Sequence, residues 1–316
     1  MATAEVGDDV YREDPTVRRL EETYASLVGK PSALYVPSGT MANQLMLRVL
    51  ASPGTAVIAG ARQHIVLYEN AASARNAGVQ FHTVDDAGGD ISPSDVTSAI
   101  EAAGHHQPQP SLVCVENTHM AAGGAPWSKT AIRQLARAAG DLPVHMDGAR
   151  LFNAQVASST SAKELARPVT TVMSCLSKGL CAPVGSVLAG PTEIMEAARA
   201  ERARMGGAMR QAGVIAAAGL VALRAMVDRL ADDHVRAGHL AREVAERWPG
   251  SGLDPERVRT NIVSFRHPDP GRLLGSLRAD GVLAGTIAPG VVRLVTHNGV
   301  TDEGAQKAVR AIRAAP

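Results

Sequence analysis

The sequence predicts an α/β chain: a mostly parallel sheet flanked by helices, followed by a small α+β unit at the carboxyl end. Three observations carry this. Short apolar runs alternate with helix-length amphipathic segments from Ala33 to Ala189. One run, Leu112–Val113–Cys114–Val115, is apolar throughout, as a strand covered on both faces must be. Beyond Gly190 the texture shifts to charged and alanine-rich helical segments with few strands.

The elements follow in order. Asp14–Pro15 opens a helix, with Asp as cap and Pro in the first turn. Val17, Leu20, Tyr24 and Leu27 repeat at helical spacing, and Gly29 ends it. Ala33–Val36 is a strand, Pro37–Thr40 a turn, and a helix continues to Leu50. Ala56–Ala59 is the next strand, followed by a loop with His64 and a helix from Ile65 to Ala77. Val79–Val84 reads as a strand and Ser92–Ala103 as a helix. His105 and His106 sit in a polar loop and are expected to be solvated. After Leu112–Val115 come a helix over Lys129–Ala139 and strands at Leu142–Met146, Thr170–Met173 and Gly185–Ala189. Thr192–Arg204 is a charged helix, Met205–Gln211 a loop, and Gly213–Leu230 an alanine-rich helix. An amphipathic helix over His234–Trp248 follows, then strands at Asn261–Phe265 and Val291–Val295, a helix near Gly271–Asp280 and a closing helix from Thr301. The boundary is expected near 231, giving a large unit at 1–230 and a small one at 231–316.

Composition narrows the function. The 316 residues are 45% hydrophobic and 20% charged, as a folded globular chain is. A net charge of +1 leaves no basic field for nucleic acid. No apolar run is long enough to span a membrane, and the first residues lack a signal peptide's basic and apolar regions. Cys114, Cys175 and Cys181 are too few and too scattered for a disulfide framework or zinc site, and no metal is expected. A cytoplasmic enzyme is the expectation.

Polar residues at the carboxyl ends of successive strands are where open α/β sheets bind ligands. His119, Asp147 and Lys178 hold such positions. In Ser174–Cys175–Leu176–Ser177–Lys178–Gly179 a lone lysine closes an apolar run, where an unpaired ammonium would be costly. A Schiff base with a carbonyl is one use for such an amine. By itself the hexapeptide fits a surface lysine in a turn better; the rest of the chain reverses that. A cofactor aldehyde on Lys178 would need three further things. A carboxylate must hold its ring nitrogen protonated, for which Asp147 is placed, although Asp147 also suits a helix cap. A helix start must take its phosphate, which Ser38–Gly39–Thr40 supplies with backbone N–H groups and hydroxyls. A flat side chain must face the ring, which His64 can do unless it is a plain loop histidine. Arg150 and Arg293 offer planar forks for a substrate carboxylate, or ordinary salt bridges.

The chain resembles the L-threonine aldolases of low-specificity type, in the β-eliminating-lyase group of fold-type I pyridoxal-phosphate (PLP) enzymes. The matching pieces include Gly7–Tyr11, Ser38–Asn43, Glu116–His119, His145–Arg150, Leu176–Leu180, Gly206–Gln211 and Val292–His297, in order along almost the whole chain. The resemblance implies a PLP-transferase-like large domain with a small C-terminal α+β domain. It implies PLP on Lys178, Asp147 at its ring nitrogen, and Ser38, Gly39, Thr40 and Arg210 at its phosphate, Arg210 from a neighbouring subunit. Arg150 also touches cofactor, and with Arg293 grips the amino acid's carboxylate. Tyr11 and Tyr68 would line the substrate pocket, and His119 would sit by the substrate hydroxyl as the base. The implied reaction is retro-aldol cleavage of L-threonine, L-allo-threonine or a related β-hydroxy amino acid to glycine and an aldehyde. The alternatives are a β-eliminating lyase or aminotransferase on the same scaffold, or a PLP-binding homologue without turnover. A homotetramer, a dimer of dimers sharing sites, is implied, with no nucleic-acid or membrane partner. Such enzymes usually begin with a stretch like Arg-Ser-Asp-Thr-Val-Thr, which does not occur here: either the chain starts late at an internal methionine or the protein lacks that part, and weaker substrate binding and looser assembly are expected. Met120, Cys181 and Ala203 stand where asparagine, glycine and lysine are usual.

Overall fold

A computed structural model describes residues 1–104 and 106–316. His105 lies outside the described residues, and His106 is exposed.

Seven strands form the main sheet: β1 (Ser32–Val36), β2 (Ala56–Gly60), β3 (Gln80–Val84), β4 (Pro110–Glu116), β5 (Val144–Asp147), β6 (Thr171–Cys175) and β7 (Ser186–Gly190), in the order β1-β7-β6-β5-β4-β2-β3. Strands β2 to β6 pair in parallel, and β7 runs antiparallel to both β1 and β6. All five positions of β2, of β6 and of β7 are buried, because helices cover both faces. That coverage explains the unbroken apolar runs.

Register sets the site. Glu116, the last residue of β4, pairs with Asp147, the last of β5, and Asp147 pairs with Met173 in β6. Strand β6 continues two residues further to Cys175 before the chain reaches Lys178. Carboxyl ends that differ by so little deliver their polar residues to one crevice.

Local chemistry shapes the helices on that crevice. Asp14 caps the Pro15–Val28 helix by accepting from Thr16 N and Val17 N, each at 3.0 Å. Its other oxygen accepts from Gly213 N at 2.8 Å, so one buried carboxylate also fixes the loop that ends at Gln211. Ser38 caps the Gly39–Leu50 helix through Met41 N at 3.1 Å. Gly39 lets that helix start against β6, since a Cβ there would lie 2.8 Å from both Cys175 Sγ and Met173 Cε.

The expected helix over Ile65–Ala77 is instead two short pieces, His64–Leu67 and Ala72–Ala77. Asn70 and Ala71, with φ of 52° and 57°, break it. Two short helices, Leu151–Ser158 and Ala162–Ala166, fill the stretch before β6 that carries no clear periodicity. The small unit holds an antiparallel sheet, β8 (Ile262–Arg266), β9 (Gly285–Ala288) and β10 (Val291–Val295), ordered β8-β10-β9. Strand β9 escapes sequence reading because it lies at the edge, with none of its four residues buried. The Leu230–Arg247 helix joins the two units: Leu230 packs in the large core, and Ala237, Leu240 and Val244 in the small one. No helix among the described residues is long and apolar enough to cross a membrane.

Candidate active site

Two cavities meet at the carboxyl ends of β4, β5 and β6. One, of about 250 Å³, is bounded by Ser38, Gly39, Thr40, Asn43, Cys175 and Ser177. The other, of about 230 Å³, is bounded by Glu116, Thr118, Met120, Arg150 and Arg293. His64, Asp147, Ala149 and Lys178 line both, so the two are lobes of one site. Lys178 stands at the junction, and its Nζ has no hydrogen-bond or ion-pair partner among the described residues.

The floor is a polar network. Asn43 Nδ2 donates to Asp147 Oδ2 and to Glu69 Oε1, both at 2.8 Å. Ala149 N donates to Asp147 Oδ1 at 3.0 Å. His64 Nδ1 lies 3.1 Å from Glu69 Oε1, and Gln44 Nε2 donates to Glu69 Oε2 at 2.6 Å. The hydrogen bond to Glu69 raises the affinity of His64 for a proton, although burial opposes it. Glu116 is buried and accepts from the backbone of His64 and of Met120; burial first, then the charge of Asp147, raises its pKa.

The second lobe is built for an anion. Burial, and then the neighbouring Arg293 guanidinium, lowers the pKa of Arg150. Its Nε is buried without a partner, and neither arginine makes a salt bridge among the described residues. Glu116 and Asp147 offset that charge in part, but among the described residues neither pairs with an arginine, so a negative ligand that joins the two guanidiniums is favoured. Arg293 arrives on β10, so the small unit supplies half of this clamp.

A model of the beta-eliminating lyase family matches residues 1–267. The chain belongs to the beta-eliminating lyase family. Low-specificity L-threonine aldolase 1 of Arabidopsis thaliana is 37% identical over 313 residues, covering 95% of this chain and 87% of that protein. The low specificity L-threonine aldolase of Escherichia coli K12 is 37% identical over 312 residues, covering 96% of this chain and 90% of its own length. Among solved structures, the Leishmania major threonine aldolase superposes with a TM-score of 0.85 at 20% identity, covering 98% of this chain and 92% of that one; it shows the shared fold.

The residues of this family member fit PLP. An amine without a partner among the described residues, a buried carboxylate, a helix start with open N–H groups and an imidazole wall surround the first lobe. The orphaned Arg150 Nε and its neighbour Arg293 suit a carboxylate in the second.

Other expected residues lie elsewhere. His119 lines neither lobe and is fully buried. Ala122 N donates to its Nδ1 at 3.2 Å, so Nε2 carries the proton and donates to Asp86 Oδ2 at 2.8 Å. Both ring nitrogens are spent, Nδ1 on the loop after β4 and Nε2 on Asp86 after β3, which removes His119 from contact with a substrate in this site. Tyr11 is 67% exposed on a short 3₁₀ turn outside both lobes. Tyr68 borders a separate cleft of about 600 Å³ and donates to Ile287 O at 3.0 Å, while its ring lies 5.6 Å from that of His64. Arg210 is outside both lobes, largely exposed, and donates to Asp8 Oδ2 at 2.7 Å. Of the arginines flanking Ala203, Arg202 points into the core, bound to Tyr35 O and Asp9 Oδ2, and Arg204 pairs with Glu201.

Asn43, Glu116 and Thr118 lie in the pieces that carry the resemblance but have no role assigned there, and Glu69 escapes sequence reading. Asn43 and Gln44 did leave a signal, two adjacent polar residues inside an apolar helical repeat, and both are buried.

Proposed function

We propose that this chain cleaves L-threonine, L-allo-threonine or a related β-hydroxy-α-amino acid to glycine and an aldehyde, with PLP as cofactor. The observation that carries the proposal is the junction: Lys178, Asp147 and His64 line both a cofactor-sized lobe and a lobe walled by two unpaired arginines. The similarity to proteins named low-specificity L-threonine aldolase supports the substrate class.

Lys178 would hold the cofactor's aldehyde carbon, Asp147 its ring nitrogen, and Gly39 and Thr40 its phosphate. Bound PLP supplies an electron sink for the pair left on Cα when the Cα–Cβ bond breaks. The rest falls to the protein. Arg150 and Arg293 bind the substrate carboxylate and so fix the direction of the scissile bond. His64, made more basic by Glu69, takes the β-hydroxyl proton as the aldehyde forms, an assistance typically worth about 10²–10⁴-fold. Glu116, Thr118 and Met120 enclose the lobe and limit water near the reacting carbon. A proton returned to Cα releases glycine. Arg210 reaches the phosphate of a second copy's site, in a homo-oligomer with shared sites.

The test is glycine and aldehyde formation from L-threonine, L-allo-threonine and phenylserine by purified, PLP-supplied protein. Lys178→Ala abolishes it. A keto acid as the product would overturn the proposal in favour of elimination or transamination.

A further inference from the structure

Asn43 solves a problem of like charge. Carboxylate oxygens of Asp147 and Glu69 lie within 4.8 Å of each other and of a His64 ring nitrogen, with both carboxylates buried and His64 partly exposed. Ionised carboxylates only accept hydrogen bonds. The amide of Asn43 must therefore turn its NH₂ toward both, one hydrogen to each. Its carbonyl then faces the other way, toward His145 Nε2 at 3.1 Å. A buried carbonyl needs a donor, which makes His145 the Nε2–H tautomer. Nδ1 is then the acceptor, and Thr171 Oγ1, 2.9 Å away, donates to it. Asn43, His145 and Thr171 are all 1% exposed or less, so each is shielded from bulk solvent.

We infer that His145 and Asn43 are positioning residues for Asp147: with the Asn43 NH₂ turned to the two carboxylates, its carbonyl calls for an N–H at His145 Nε2, and that arrangement aims an amide N–H at the carboxylate that would hold the cofactor's ring nitrogen. Asn43 lines the cofactor lobe and His145 does not; His145 acts only by holding the asparagine amide in one of its two orientations. Burial keeps the imidazole neutral, pushing its pKa down to about 4, so the tautomer persists through the neutral range. The inference rests on the reading of Lys178 and Asp147 as the PLP site.

Two measurements test it. The first needs no cofactor: ¹⁵N NMR of the imidazole in the full-length protein at pH 6.5. The expected signal is a neutral ring protonated at Nε2; an Nδ1–H ring or a cationic ring overturns the relay. The second is PLP affinity, by fluorescence titration, of wild type, His145→Leu, Asn43→Ala and the double variant. Each single change is expected to weaken binding about tenfold, and the double variant no more than about twofold beyond the worse single one. Full multiplication of the two losses, or an affinity for His145→Leu within twofold of wild type, overturns the relay. Wild-type protein that fails to bind PLP strikes the functional reading instead, and the NMR result still decides the relay.

Discussion

His119 donates to Asp86 across 2.8 Å, and neither side chain is exposed. Asp86, in the loop after β3, also accepts from Arg62 N, so the pair ties the loop after β4 to those after β3 and β2. This placement makes His119 a structural residue. His119→Ala should cost about 3 kcal/mol of stability, the scale for breaking a buried charged hydrogen-bonded pair. Turnover per folded molecule, at a temperature where the variant is folded, should stay within about threefold of wild type. Thermal unfolding and active-site titration together check this; a loss of 100-fold in kcat with unchanged stability would restore His119 as the base.

Arg150 and Arg293 should differ from lysine in a measurable way. Lysine keeps the charge but loses the planar fork. Arg150→Lys and Arg293→Lys are each expected to raise KM for L-threonine about tenfold or more, with PLP affinity less affected in both, because both side chains line only the second lobe. Steady-state kinetics and PLP titration separate the two effects.

Cys181 sits in the loop after Lys178 with φ of 63°, a left-handed conformation that costs a non-glycine residue about 1–2 kcal/mol. Glycine's greater unfolded-state freedom returns about 0.5–1 kcal/mol of that. Cys181→Gly should therefore stabilise the protein by about 0.5 kcal/mol, measured by denaturant unfolding. Destabilisation would mean that the Sγ contact with Gly179 O at 3.4 Å contributes more than the strain.

His145 predicts a pH dependence. Its pKa falls from 6.5 to about 4 on folding, so the unfolded chain binds more protons between those values. The stability it contributes is present above pH 6.5 and lost as pH falls toward 4, at most roughly 3 kcal/mol. His64 shifts the opposite way, so total stability does not isolate the effect. The difference between wild type and His145→Gln does: wild type should lose more stability than the variant from pH 7 to pH 4.5. Parallel losses would show that the imidazole is not buried as a neutral ring.

Much of the fold was legible from the sequence because its signals are local. Asp14–Pro15 and Gly29 bound a helix that the structure places at Pro15–Val28, and Thr192–Arg204 is the same in both. Apolar runs found the sheet strands because a strand buried on both faces has no other composition. Breaks that depend on backbone angles, as at Asn70–Ala71, and an exposed edge strand such as β9 carry no such signal.

By itself, the sequence determined the α/β class, the family resemblance, and the lysine, aspartate and helix start that the sheet's carboxyl edge was bound to gather. Only tertiary structure decided which way His119 faces, that Arg293 reaches across from β10 to stand beside Arg150, and that Asn43 lies between two carboxylates. The reason is physical. Strand ends are ordered by hydrophobic periodicity along the chain, whereas a side chain's partner is chosen by burial: once water is excluded, each polar atom must find its donor or acceptor among residues 26 to 104 positions away.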